Sequence, residues 1–148
     1  MAAVHRTRTI AAAPHDVWDV LADFGAISGW ADNIDHSCIL VHQTDPVGTT
    51  RRVQIGRNTV VERITEFDPP NALAYDIEGL PRQLRRVGNR WTLRPTADGA
   101  TAVTLTSTVE IGSGSPQQPV ERVVCRVLAR QSDVMLTGLA NRLENTRV

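Results

Sequence analysis

Residues 84–112, LRRVGNRWTLRPTADGATAVTLTSTVEIG, decide how this chain folds. Ala97-Asp98-Gly99 in the middle is a hairpin signal, because Asp and Gly accept the left-handed backbone of a tight turn. After the turn, Val103, Leu105, Val109 and Ile111 fall on one parity, and Thr104, Thr106, Thr108 and Glu110 on the other. Strand side chains point alternately to two faces, so this pattern predicts a strand with one buried and one wet face. Before the turn, one parity holds Arg85, Val87, Asn89, Trp91 and Leu93, and the other holds Arg86, Gly88, Arg90, Thr92 and Arg94. The first, more apolar set predicts the inward face, and the second an outward Arg ladder.

The same texture continues upstream. Ile34–His42, Thr49–Ile55, Thr59–Phe67 and Leu73–Glu78 read as strands. Asp45-Pro46-Val47-Gly48, Gly56-Arg57-Asn58, Asp68-Pro69-Pro70-Asn71 and Gly79-Leu80-Pro81 punctuate them as turns. Val4–Ala11 predicts a first strand. Pro14, with Asp16 in the first turn, opens a short helix to about Phe24, its Val17, Leu21 and Phe24 at helical spacing. Gly25 and Gly29 bracket a second short helical piece with Ile27 and Trp30. Downstream, Gly112-Ser113-Gly114-Ser115-Pro116 predicts a flexible break, and Ser115 with Gln118 has capping-box spacing. Pro119 to about Asn145 is one long helix. Val120, Val123, Val124, Val127, Leu128, Val134, Met135, Leu139 and Leu143 form its apolar face. Arg122, Arg126 and Arg130 step along another face as a solvated ridge, with Asp133 spaced to pair with Arg130.

The chain has 148 residues, 16 basic and 16 acidic, and is 41% hydrophobic. That length predicts one domain over residues 1–148, with enough apolar residues for a core without disulfides or metal. A neutral chain has no overall field to draw in nucleic acid or an anionic membrane. All 16 basic residues are Arg. This removes Lys Schiff-base chemistry and Lys-bearing phosphate loops, and otherwise reads as the mark of a GC-rich genome. No apolar run approaches the roughly 18 residues of a membrane span, and the N-terminus lacks a signal peptide's apolar core. The expectation is a cytoplasmic protein without stable membrane insertion. Cys38 and Cys125, far apart in apolar settings, read as small buried hydrophobes. His36 and Cys38 form an H-x-C pair, but no further ligand stands at a metal-binding spacing, so neither metal nor cofactor is expected. His5, His15 and His42 read as surface residues. GxSxG, HExxH, phosphate-loop and dinucleotide fingerprints are missing, as is any nucleophile–base pair.

This element order predicts an α+β fold, a curved antiparallel sheet of six to seven strands wrapped around a long C-terminal helix, with two short helices after strand 1. Aromatic residues make up only 4% of the chain. Val, Ile, Leu, Thr and Ala can line a cavity there without plugging it, although small residues can also pack solidly.

The opening TRTIAAAPHDVWDVLADFGAISGWADNI, residues 7–34, resembles the N-terminal signature of the SRPBCC superfamily. That group includes START domains, birch-pollen-allergen-like proteins and the polyketide cyclase/dehydrase family. VGTTRRVQIG (47–56), VVERITEFDPPNALAYDIEGLP (60–81), NRWTLRPTADGATAVTLTSTVEIG (89–112) and the last helix extend the resemblance over nearly the whole chain. Its texture is similar to that of small actinobacterial members. The resemblance implies the helix-grip fold, with a hydrophobic ligand cavity between sheet and last helix. Functions in the superfamily run from lipid carriage to ring closure to hormone sensing, so fold does not settle function.

Alternation puts Arg85, Asn89 and Trp91 on the cavity side. Arg85, near the strand's start, is placed to hold a carboxylate or phenolate through its forked donors, unless it bends out to solvent. Glu62 shares its parity with Val60 and Ile64. The opposite parity, with Val61 and Phe67, is nearly as apolar, so the face of Glu62 stays open and solvent carries more weight. Facing inward, it would be a candidate acid/base or binding group. The resemblance adds that hormone-sensing members have a cavity-facing Glu on the corresponding strand. Tyr75 alternates with Leu73 and Ile77, so its ring belongs inside and its hydroxyl needs a partner. Ser107 interrupts the apolar face of the last strand. Trp30 falls where the resemblance places a cavity-rim Trp, with core packing the equal alternative. The ligand-binding candidates are therefore Trp30, Glu62, Tyr75, Arg85, Asn89, Trp91 and Ser107.

Three functions fit. The first is binding, for transport or sensing, of a small hydrophobic molecule such as a lipid, polyketide or isoprenoid. The second is a polyketide cyclase or aromatase, with Glu62, Tyr75 and Arg85 as its crew. The third is an interaction module of a toxin–antitoxin-like pair, with Arg86, Arg90 and Arg94 as its surface. Nucleic acid is not an expected partner, since stacking aromatics are not interleaved with the Arg residues. Monomer and dimer stay open.

Overall fold

The computed structural model describes residues 2–81, 84–111 and 117–145. Strand β1, Ala2–Ile10, is followed by helix α1, Pro14–Ala22, and a short 3₁₀ helix, Phe24–Gly29. Six strands follow: β2, His36–Val41; β3, Thr50–Ile55; β4, Asn58–Asp68; β5, Ala72–Glu78; β6, Leu84–Pro95; and β7, Thr101–Ile111. Helix α2, Gln117–Glu144, closes the chain. The predicted glycine-rich break and the Ser115 cap lie outside the described residues.

All seven strands form one sheet in the order β1-β7-β6-β5-β4-β3-β2, with every pair antiparallel. Consecutive hairpins account for β2 to β7, and β1 returns beside β7. Gly99 takes φ +83 in the β6–β7 turn, as the Asp-Gly signal requires. The curved sheet wraps around α2, which packs on β1, β7 and α1. This is the helix-grip fold.

The inner face of the sheet and the 3₁₀ segment share one core. Trp91, Leu105, Val103, Leu73 and Tyr75 come from the strands, Phe24 and Ile27 from the 3₁₀ helix, and Leu136, Leu139 and Ala140 from α2. Helix α2 makes a close approach to the chain at Gly138, where a Cβ would lie 2.0 Å from the Trp30 carbonyl oxygen. Glycine is required there by approach, not by backbone angle.

Two bulges interrupt the alternation. In β4 the register with β5 shifts between Ile64 and Glu66. Val60, Glu62 and Ile64 point inward before the bulge, and Phe67 packs inward after it, edge-on to Trp18 with ring centroids 5.1 Å apart. Both parities looked apolar because each is inward on its own side of the bulge. In β6 the register with β7 shifts between Leu84 and Arg86.

The outward Arg ladder is present, and two of its three charges, those of Arg86 and Arg90, are met. Arg90 forks onto Glu66 at 2.8 and 3.2 Å, and Arg86 reaches Asp76 at 3.3 Å. Arg90's hydrogen bond holds Glu66 below the usual carboxylate range. Asp133 does not pair with Arg130 as its spacing suggested; it meets Arg6 of β1 at 3.4 Å, because α2 lies along that strand. Cys38 is exposed rather than buried, since β2 is the sheet's edge; Cys125 is half-buried, and both are free.

Candidate functional site

A cavity of about 500 Å³ lies between the sheet and the N-terminal half of α2. Ile55, Val60, Ile77, Leu84 and Val87 line it from the sheet, and Val123, Val124, Val127, Leu128 and Met135 from the helix. Val123 and Val127 remain 61% and 50% exposed, so the cavity opens to solvent beside them. Gly79, Leu80 and Pro81 form the opposite lip.

Glu62 lines this cavity and is buried. It stands directly opposite Arg51 across the β3–β4 ladder. Arg51 is 2% exposed, and Nε donates to Oε1 of Glu62 at 2.7 Å. Nη1 donates to the Phe24 carbonyl oxygen at 2.8 Å. Nη2 also lies 2.7 Å from Oε1 but makes no well-directed hydrogen bond. The guanidinium lies over two aromatic rings that meet edge to face, 3.7 Å from the Phe24 ring centroid and 4.6 Å from that of Tyr75. A cation over aromatic faces in a dry site recovers part of its lost hydration.

A polar chain runs from this pair across the sheet. Tyr75 Oη accepts hydrogen bonds from Asn89 Nδ2 and Trp91 Nε1, both at 3.3 Å. Ser107 Oγ donates to Asn89 Oδ1 at 2.6 Å and stands 3.5 Å from Ser132 Oγ on α2. Burial pushes the Tyr75 phenol up, and the Glu62 charge adds to the shift. Tyr75 therefore holds its proton in the folded protein.

Of the seven sequence candidates, Glu62, Tyr75, Asn89, Trp91 and Ser107 come together on this strip. Only Glu62 and Asn89 among them line the cavity. Trp30 is buried in the core, edge-on to Trp91 at 5.8 Å, and its Nε1 has no partner among the described residues. Arg85 is exposed, against the inward position that alternation gave it. It does not bend away from an inward start: it is the extra residue of the β6 bulge, so Leu84 and Val87 both face the cavity and Arg85 does not.

Sequence reasoning missed Arg51 altogether. Its parity with Val53 and Ile55 was the available signal, since both follow on the inward face of a strand whose ends are marked by turns. Among the described residues one grouping could offer three metal ligands, His15, Asp16 and Asp19, all exposed on α1 and away from the cavity. No helix among the described residues is long and apolar enough to cross a membrane.

A sheet gripping a long helix around an open apolar cavity is the architecture of the START/SRPBCC superfamily. Within it, the model of the family described as polyketide cyclase / dehydrase and lipid transport matches residues 1–144, and the chain belongs to that family. The Zhui aromatase/cyclase from Streptomyces sp. R1128 superposes with a TM-score of 0.81 at 21% identity, over 97% of this chain and 93% of that one. A START superfamily protein from Mycobacterium smegmatis gives 0.80 at 16% identity, over 97% and 98%. A protein from Thermobifida fusca gives 0.82 at 25% identity, over 99% and 96%. No curated protein matches the sequence. The family description covers both ring-forming enzymes and lipid carriers, so membership leaves the activity to be argued from the site.

Proposed function

We propose that residues 1–148 form a single cytoplasmic domain that binds a small hydrophobic molecule, as a carrier or sensor. The cavity of about 500 Å³ carries this reading. It has the size and mostly aliphatic lining of a small-molecule site, with a few polar groups in its wall. Its mouth lies beside exposed Val123 and Val127, apolar side chains that a bound ligand would cover. Free, exposed Cys38 suits a reducing compartment. Native mass spectrometry of gently purified protein tests the reading. A mass increment released by denaturation is expected, or one acquired on incubation with a lipid and polyketide panel. Protein that is empty and stays empty against the panel would overturn it.

A second reading is a cyclase or aromatase. The likeness to the Zhui aromatase/cyclase and the buried Glu62–Arg51–Tyr75 group favour it. Such chemistry needs a desolvated acid/base and a group that stabilises an enolate. Tyr75, with its raised pKa, would serve as a proton donor only, and it lies behind the cavity wall. Turnover of a poly-β-keto thioester, lost in Glu62→Gln with binding retained, would select this reading over the first.

A further inference from the structure

The cavity's charge is one-sided. Glu62 and Arg57 are its charged lining residues among those described, and Arg57 is exposed at the β3–β4 turn, on the rim. The buried cation, Arg51, is not in the lining; it sits behind Glu62 with its donors turned to Oε1 and to the Phe24 carbonyl. Oε1 of Glu62 is thus occupied, while Oε2 takes no hydrogen bond from any described residue. Among the described residues, the inner wall therefore presents a carboxylate oxygen with free lone pairs and no cation.

Asn89 is a further polar point in the wall, which also holds Asn33, Asn58, Thr59 and Gln131. Its Oδ1 takes the Ser107 proton and one Nδ2 hydrogen goes to Tyr75, which leaves one N–H unspent. Asn89 sits two strands from Glu62, across β5 and two residues further along, roughly 12 Å away at the usual strand spacing and rise.

Building on the ligand-binding reading, we infer that the ligand is a neutral hydrophobic molecule carrying a hydrogen-bond donor, a hydroxyl or phenol, that is read by Glu62, and that the inner cavity rejects carboxylates. A donor satisfies Oε2, and a hydrogen bond to a charged acceptor is stronger than one between neutral groups. A carboxylate there would bring like charge to like charge in an apolar wall. Its attraction to Arg57 at the rim is screened by solvent and contributes little.

The test uses the full chain, Nile red as a neutral reporter, and decanol, decyl methyl ether and decanoate as competitors of one chain length at pH 8. Decanol is expected to displace Nile red about tenfold more tightly than the ether, with decanoate weakest. In Glu62→Gln the preference for decanol and the rejection of decanoate both shrink. Because that change leaves Arg51 without its counter-charge, Arg51→Met/Glu62→Gln is measured beside it and should show the same flattening. Three equal affinities, decanoate as the tightest, or a ranking unchanged in both variants overturns the inference and leaves the cavity reading standing. Failure of Nile red and of every competitor to bind overturns the cavity reading itself.

Discussion

The Arg51 Nε lies 2.7 Å from the Glu62 Oε1, and the two residues are register partners on adjacent strands, both buried. Removing one partner strands the other as a buried charge, which costs about 3–5 kcal/mol, whereas replacing both with neutral groups can be near neutral. Glu62→Gln and Arg51→Met should each lower the urea midpoint sharply. Arg51→Met/Glu62→Gln should recover most of the loss. Additive losses in the double variant would show that the two side chains are not energetically coupled.

Tyr75 is the chain's one tyrosine, so its phenolate absorbance reports a single site. Burial raises its pKa above the ordinary value of 10.0, with the Glu62 charge adding to it. Below pH 10.0 the phenol is neutral in both folded and unfolded chains, and its stabilising contribution is complete. Above that pH the unfolded chain ionises first, so stability falls until the folded pKa is passed. Titrated in absorbance, native protein should ionise later than urea-unfolded protein, and the urea midpoint should decline more steeply above pH 10.0 than in Tyr75→Phe. Coincident titrations would contradict the buried placement.

Tyr75→Phe also removes the acceptor of two donors, the buried Trp91 Nε1 and the half-buried Asn89 Nδ2. A loss of about 1–3 kcal/mol at neutral pH is expected from leaving them unpaired. Nile red uptake should survive, since Tyr75 does not line the cavity.

Gly138 poses a contest between two effects. In mid-helix, Gly→Ala gains about 1 kcal/mol from helix propensity. At this position the new Cβ would lie 2.0 Å from the Trp30 oxygen and 3.1 Å from its carbonyl carbon. Backbone cannot yield as a flexible side chain does, so α2 would have to move off the core it seals. Gly138→Ala should lower the thermal midpoint, whereas a gain in stability would mean that α2 docks differently.

Arg85 gives the opposite expectation. Exposed in the β6 bulge, it should tolerate Arg85→Ala within about 0.5 kcal/mol, with Nile red affinity unchanged. A marked loss of binding would return it to the cavity.

The element order, the sheet and the helix it grips were legible because alternation, turn residues and helical spacing all agreed, from Val103–Ile111 to the apolar face of α2. The site was legible in part. Tyr75, Asn89, Trp91 and Ser107 follow strict alternation within unbroken runs and fall where it puts them. Arg85 and Glu62 lie on bulged strands, and a single inserted residue exchanges the faces beyond it without leaving a mark in composition. Arg51 escaped for another reason. An Arg beside a second Arg, in Thr50-Arg51-Arg52-Val53, reads as surface until the facing strand supplies Glu62. That counter-charge is a property of register and cannot be seen along the chain.

Leu128 offers the most direct test that the cavity is a binding site rather than a packing defect. It is half-buried on α2 and lines the cavity. Leu128→Trp adds a ring to empty space instead of to a packed core, so the strain of overpacking is avoided and apolar burial increases. The variant should keep or raise the thermal midpoint while losing Nile red uptake and any mass increment in native mass spectrometry. A cavity already filled by side chains predicts the reverse pairing, a lower midpoint with no change in uptake. The two accounts therefore differ in both the midpoint and the uptake, and one variant separates them.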